Sequence, residues 1–192
     1  SALKIQGVEE FLRGIETFTR ECAYPEEFGA RVFKIARDAQ RNRLTYLKIT
    51  GGSLKVKMLL SNEKEAGEGK EELWEEKAEQ IRIYSGNSFE AVKEAKAGSV
   101  CAVTGLSHTY CGQGLGIEAH TFLPVLEPVL TYKIELPEDC NVHSMLIKLK
   151  ELEEEEPQLH IVWDERLQEI HAQVKGEVQI GILKRMIWER YQ

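Results

Sequence analysis

Between residues 28 and 115 the chain is written almost entirely in period two. Runs at 30–35, 44–50, 54–60, 80–84 and 99–106 are short, rich in β-branched and aromatic residues, and separated by turn residues such as Gly51-Gly52, Gly86-Asn87 and Gly98. Several short strands at this spacing predict a small β-barrel. The clearest run follows Gly51-Gly52: Leu54, Val56, Met58 and Leu60 alternate with Ser53, Lys55 and Lys57, one dry face and one basic face.

The flanks follow other periods. At residues 7–19, Val8, Phe11, Leu12, Ile15 and Phe18 recur at helical spacing. After a linker at 116–128 the predicted order is a strand (129–136), a helix (141–155) capped by Asn141, a hairpin (159–163 with 168–174) and a helix (178–190). This is the β-α-β-β-α order of a ferredoxin-like split unit lacking its last strand. The fold class is thus mixed: a barrel at 28–124 and a truncated ferredoxin-like α+β unit at 125–192, preceded by a helix and connector at 1–27. A missing last strand would leave the edge at 129–136 unpaired and prone to association. Residues 63–79, rich in Glu, Lys and Gly, read as a solvated insertion with a short helix around Trp74.

Charge is unevenly placed. The net charge is −7, yet residues 31–57 hold eight Lys or Arg and a single acid, Asp38. A basic β-ribbon folded at residues 38–42 suits a polyanion, and phosphate-rich RNA is the obvious one. Arg37, Arg41 and Arg43 at the strand turn are the first contact candidates, since a planar guanidinium binds two phosphate oxygens; Lys48, Lys55 and Lys57 are supports. The competing reading is a ribbon that meets an acidic protein surface.

Other constellations carry less. Gly112-Gln-Gly-Leu-Gly116 has no clear helix after it and reads as a structural turn, not a dinucleotide fingerprint. Cys101, His108, Cys111 and His120 lack the close ligand pairs of a zinc site. His160 and His171 face each other if Trp163 pairs with Gln168. The acids at Glu151 and Glu153–Glu156 sit at a helix C-terminus, where the macrodipole disfavours them, and read as a fraying solvated end or a contact for a basic protein. No catalytic set can be placed from spacing. The cysteines lack a CxxC and suit a reducing compartment, and no apolar run is long enough to span a membrane.

Taken in order, Phe33-Lys-Ile35, Arg43-Leu-Thr-Tyr-Leu-Lys-Ile-Thr-Gly-Gly-Ser-Leu-Lys55, Lys96-Ala-Gly98, Val103-Thr-Gly-Leu106 and Cys111-Gly-Gln-Gly-Leu115 resemble the second-domain barrel of the elongation factor G superfamily of translational GTPases. Glu127-Pro-Val-Leu-Thr-Tyr-Lys-Ile-Glu135, Glu153-Glu-Glu-Glu-Pro157 and Gly176-Glu-Val-Gln179 resemble its third domain, and the Val-Gln form is most similar to the tetracycline ribosomal protection proteins. The resemblance implies a cytoplasmic, ribosome-binding middle fragment that meets small-subunit rRNA and ribosomal proteins. The helix at 1–27 would close a missing GTPase domain. The parent would use GTP and Mg to release tetracycline, or to drive translocation as elongation factor G does. No Gly-x4-Gly-Lys-Ser/Thr loop occurs in these residues, so the fragment itself is expected to hold no cofactor and no metal and to be inactive as a GTPase.

Overall fold

The computed structural model describes all residues except 1, 21, 63–72, 119–127, 138 and 192. Helix α1 (Val8–Phe18) comes first, and none of its residues is buried. Phe11 and Leu12 stand 67% and 58% exposed, so its apolar stripe is unpartnered among the described residues.

Strands β1 (Gly29–Arg37), β2 (Arg43–Gly51), β3 (Ser53–Lys55), β4 (Leu59–Ser61), β5 (Glu75–Lys77), β6 (Gln80–Ser85), β7 (Ser88–Val92), β8 (Glu94–Lys96), β9 (Val100–Thr104) and β10 (Gly114–Gly116) form the barrel. Six of them make one antiparallel sheet in the order β10-β1-β2-β9-β6-β7, and two ribbons, β3–β8 and β4–β5, cover its inner face. All enclose one core: Leu47 and Ile49 from β2, Leu54 from β3, Leu60 from β4, Ile81 from β6 and Val103 from β9. The expected β1–β2 hairpin is present. Its turn is closed by Asp38, which accepts from the backbone of Gln40 and Asn42 at 3.0 and 2.9 Å.

Two expectations for this unit are corrected. The run at 54–60 is not one strand, because Lys57 takes φ +68 and its N–H leaves to bond Ala78 O. The ladder breaks there into β3 and β4. Trp74 does not sit in a helix; its N–H is held by Asn62 Oδ1 at 3.0 Å and the chain runs straight into β5. Residues 63–72 of the insertion lie outside the described residues.

Behind β5, Glu76 accepts from Ser107 and from His108 Nδ1 (2.9 Å), while Trp74 stacks on the His108 ring. Burial alone would raise the Glu76 carboxyl, but the bonds from Ser107 and His108 outweigh it and hold it below its ordinary 4.5. A depressed carboxyl stabilises the fold fully above that value and loses its contribution as pH falls through the folded one. The melting temperature of Glu76→Gln is therefore expected to lie under that of the wild type at neutral pH and to approach it as pH falls below the ordinary carboxylate value and through the lowered folded one, as followed by circular dichroism. A constant gap across this range would contradict the assignment.

The second unit contains β11 (Leu130–Ile134), α2 (Val142–Glu155), β12 (His160–Asp164), β13 (Glu169–Val174) and α3 (Glu177–Tyr191). It is a small α+β domain, with sheet order β11-β13-β12 and both helices on one face. Leu149 and Leu152 of α2 and Leu183 of α3 bury against Ile161, Ile170, Ala172 and Val174. Asn141 caps α2 as its sequence implies, accepting from Ser144 N at 2.9 Å. The outer edge of β11 has no partner strand among the described residues, and a groove of about 970 Å³ lined by Tyr132, Ile134, Leu149, Leu183 and Trp188 opens beside it.

The hairpin register differs from expectation. Trp163 pairs with Ile170, which sets His160 against Gln173 and His171 against Val162. The turn has the expected four residues but sits one position later, at 165–168, where Asp164 Oδ1 ties down Arg166 N and Leu167 N and Gln168 takes φ +54. The two histidines instead bond Glu153 and Glu169, respectively.

Candidate nucleic-acid interface

The β1–β2 turn brings Arg37, Arg41 and Arg43 together as the sequence suggested, but Arg37 and Arg43 are largely buried and all three, the exposed Arg41 included, are paired with acids. The C-terminal turns of α2 lie against it. Arg37 Nη2 meets Glu154 Oε2 at 3.1 Å, Arg41 Nη2 meets Glu151 Oε2 at 2.9 Å, and Arg43 Nε meets Glu154 Oε2 at 3.1 Å. Glu155 sits 3.7 Å from Arg37 and takes a two-pronged bond from Arg190 of α3, 2.6 Å on each side. Arg41 also lies over the Tyr191 ring at 5.5 Å.

Arg43 goes furthest inward. Its Nη1 donates to Leu106 O (2.7 Å) and Thr109 Oγ1 (3.0 Å), and its Nη2 to Thr109 O (2.5 Å). Thr45 and Thr109, both buried, bond each other at 2.8 Å beneath it.

The expectation that these three arginines present free cations to phosphate is therefore corrected. Their guanidiniums are spent on internal carboxylates and carbonyls, and a phosphate would have to displace ion pairs that join the two units. The acids of α2 are corrected with them. They are neither a fraying end nor an open acidic patch, because arginines offset the unfavourable dipole at that terminus.

The supporting lysines divide. Lys48 is half-buried, with Nζ on Gly98 O at 2.5 Å, where it closes the turn before β9. Lys55 and Lys57 are exposed and form no ion pair with any described residue. Lys34 shares that freedom, and sequence reasoning passed over it; its Nζ lies 5.6 Å from the Tyr46 ring. The signal for it was the neighbouring pair Phe33-Lys34 in an otherwise alternating strand.

Residues 27–115 match the family model of elongation factor G domain 2. The barrel is thus of elongation factor G domain 2 type. Similar full-length proteins include elongation factor G 2 of Syntrophus aciditrophicus, 28% identical over 95% of this chain and 30% of that protein. Elongation factor G 1 of Bdellovibrio bacteriovorus is 29% identical over 80% of this chain and 22% of its own length. Elongation factor G of Amoebophilus asiaticus is 26% identical, with 82% and 22% covered. This chain thus spans under a third of the length of these relatives. A crystal structure of a protein from Thermus thermophilus shares the fold with TM-score 0.67 at 23% identity, over 93% of this chain and 27% of that one. Among the described residues no helix is long and apolar enough to cross a membrane.

Proposed function

We propose that this chain is the ribosome-docking middle portion of an elongation factor G-type translational GTPase acting in the cytoplasm. The observation that carries the reading is the domain 2-type barrel joined to the α+β unit, in the order found along full-length elongation factors G. GTP binding and hydrolysis, with Mg, would belong to another part of the parent protein; this portion positions. With the arginines engaged internally, Lys55 and Lys57 become the cations proposed to meet rRNA phosphate. Such contacts fix position without reading sequence.

Each phosphate contact releases counterions, so binding to small ribosomal subunits should weaken with salt. The double variant Lys55→Glu/Lys57→Glu is expected to weaken pelleting with subunits and to lower the log–log salt slope by about 1 per lysine lost. Salt-independent binding, or an unchanged slope in the variant, would overturn this docking surface and favour a protein contact instead.

A second reading, the tetracycline ribosomal protection factor, rests on Gly176-Glu-Val-Gln179 at the start of α3. There Gln179 Oε1 accepts from Lys175 N at 2.9 Å, so the glutamine has a structural part in seating the helix. The named relatives favour elongation factor G over it. Expression of the full reading frame in a tetracycline-sensitive strain separates the two, since only a protection factor would raise the tolerated drug concentration.

A further inference from the structure

The outer face of the six-stranded sheet carries a row of aromatic rings that the docking reading does not use. Core residues Leu47, Ile81 and Val103 point inward, so Tyr46, Arg82 and Ala102 beside them point out. Phe33 is the extra residue of a β-bulge: Val32 pairs with Leu47 and Lys34 with Tyr46, leaving Phe33 between them. The bulge turns two successive side chains, Phe33 and Lys34, to solvent on the same side.

The rings form a continuous series. Phe33 and Tyr46 centroids lie 6.1 Å apart, Tyr46 and Tyr84 5.8 Å, and Tyr84 and Phe89 5.4 Å. Ala102, in the strand between β2 and β6, is fully buried with Tyr46 and Arg82 as its cross-strand neighbours, and Tyr46 and Tyr84 are themselves half-buried. Shielding the sheet accounts for this inner pair of rings. It does not account for the outer two: Phe33 and Phe89 each remain 45% exposed.

Cations are interleaved with the rings. Lys34 approaches Tyr46, and the Arg82 guanidinium lies 4.5 Å from the Phe89 centroid. Asp38 at the hairpin turn neutralises Arg82 at 3.0 Å, whereas Lys34 has no carboxylate partner among the described residues. Strands β1, β2, β6, β7 and β9 contain a single acid, Glu90, and its pairing with Ile83 places it on the other side of the sheet from Phe89. In a chain of net charge −7, this sheet face carries no carboxylate from its own strands.

We propose that this face is a stacking platform for unpaired bases of single-stranded RNA, with Phe33 and Phe89 taking one base each and Lys34 meeting the phosphate between or beside them. A β-sheet that offers exposed rings with interleaved cations matches the way such surfaces hold splayed bases, since every base has a π-face and the strand supplies the charge. An acidic peptide would find one free ammonium here and no use for the ring series. The platform belongs to the large sheet and the docking lysines to β3 and the turn after it, so either reading can fail alone.

The test is fluorescence anisotropy of the 192-residue chain with labelled oligo(U), oligo(A), and the same oligo(A) annealed to oligo(U). Both single strands are expected to bind more tightly than the duplex. Phe33→Leu and Phe89→Leu keep an apolar side chain and remove the ring; each is expected to weaken single-strand binding by about 5- to 150-fold, with tyrosine at either position restoring it. Lys34→Glu should weaken binding and reduce its salt slope. Duplex binding equal to single-strand binding would overturn the proposal. So would leucine variants that melt like the wild type and bind like it, or a wild type that binds no single strand at low salt. Cross-linking of this face to a ribosomal protein, with oligonucleotide binding unaffected by the variants, would assign the platform to a protein instead and equally overturn it.

Discussion

Arg43→Ala is expected to destabilise the chain by about 3 kcal/mol, because it removes one guanidinium that serves a helix of one unit and a buried corner of the other. Thr109 O and Leu106 O lose their side-chain donor, and Glu154 loses its shortest link to β2. Thr45 and Thr109 keep each other, so their hydroxyls limit the damage. At roughly 2–4 °C per kcal/mol for a chain of this size, the melting midpoint should fall by roughly 6–12 °C. Arg43→Lys should recover less than half, since one ammonium cannot reach the carboxylate and both carbonyls with the geometry of a planar fork. Arg41 is the contrast. Its side chain is 57% exposed, so Arg41→Ala should cost about 1 kcal/mol or less despite a 2.9 Å ion pair. Differential scanning calorimetry checks both, and equal midpoints for Arg43→Ala and Arg41→Ala would refute the buried-fork argument. The same scan reports on the junction: loosening Glu154 should let the barrel and the α+β unit melt as separate transitions.

That junction also marks where the sequence stopped being readable. Period two located β1, β2, β6 and β9 to within a few residues, and helical spacing with Asn141 located α2 and α3, because each buries one regular face. Short strands were missed. Three-residue β8 and β10 carry no period of their own, and β5 sits in a Glu- and Lys-rich stretch whose composition resembles a loop. The candidate site failed for a different reason. A basic run was assigned to an outside partner, and an acidic run about a hundred residues later to a solvated helix end or an outside partner, when their simplest partner was one another. Local charge says that a counter-charge exists, not which chain supplies it. The clue was available: the acids occupy a helix end that the macrodipole penalises, so nearby cations were required on energetic grounds. The aromatic platform was hidden because Phe33 owes its outward aim to a bulge, and a bulge shifts the alternation that strand reading depends on.

Gly116→Ala is expected to cost more than about 3 kcal/mol, enough to threaten folding of the barrel, because left-handed strain and a backbone collision fall on one residue. Gly116 has φ +68, where a Cβ would lie 2.2 Å from Phe28 O. Neither atom can yield cheaply. Gly116 pairs with Gly29, and Phe28 O accepts from Ile117 N at 3.0 Å, so moving either strand opens the β1–β10 edge. Gly86 supplies the control. It has a similar φ of +63 with nothing within 4 Å of the added methyl, so Gly86→Ala isolates the conformational cost, about 1–2 kcal/mol. The difference between the two melting midpoints then measures the collision alone. Closely matched midpoints would show that the edge relaxes freely and that Gly116 is present for some purpose other than packing. A large difference assigns the Gly112–Gly116 segment to close approach of two backbones. Glycine in that segment then serves the meeting of β10 with β1, and a phosphate-cradling role, which needs open amides at a helix start, has no place there.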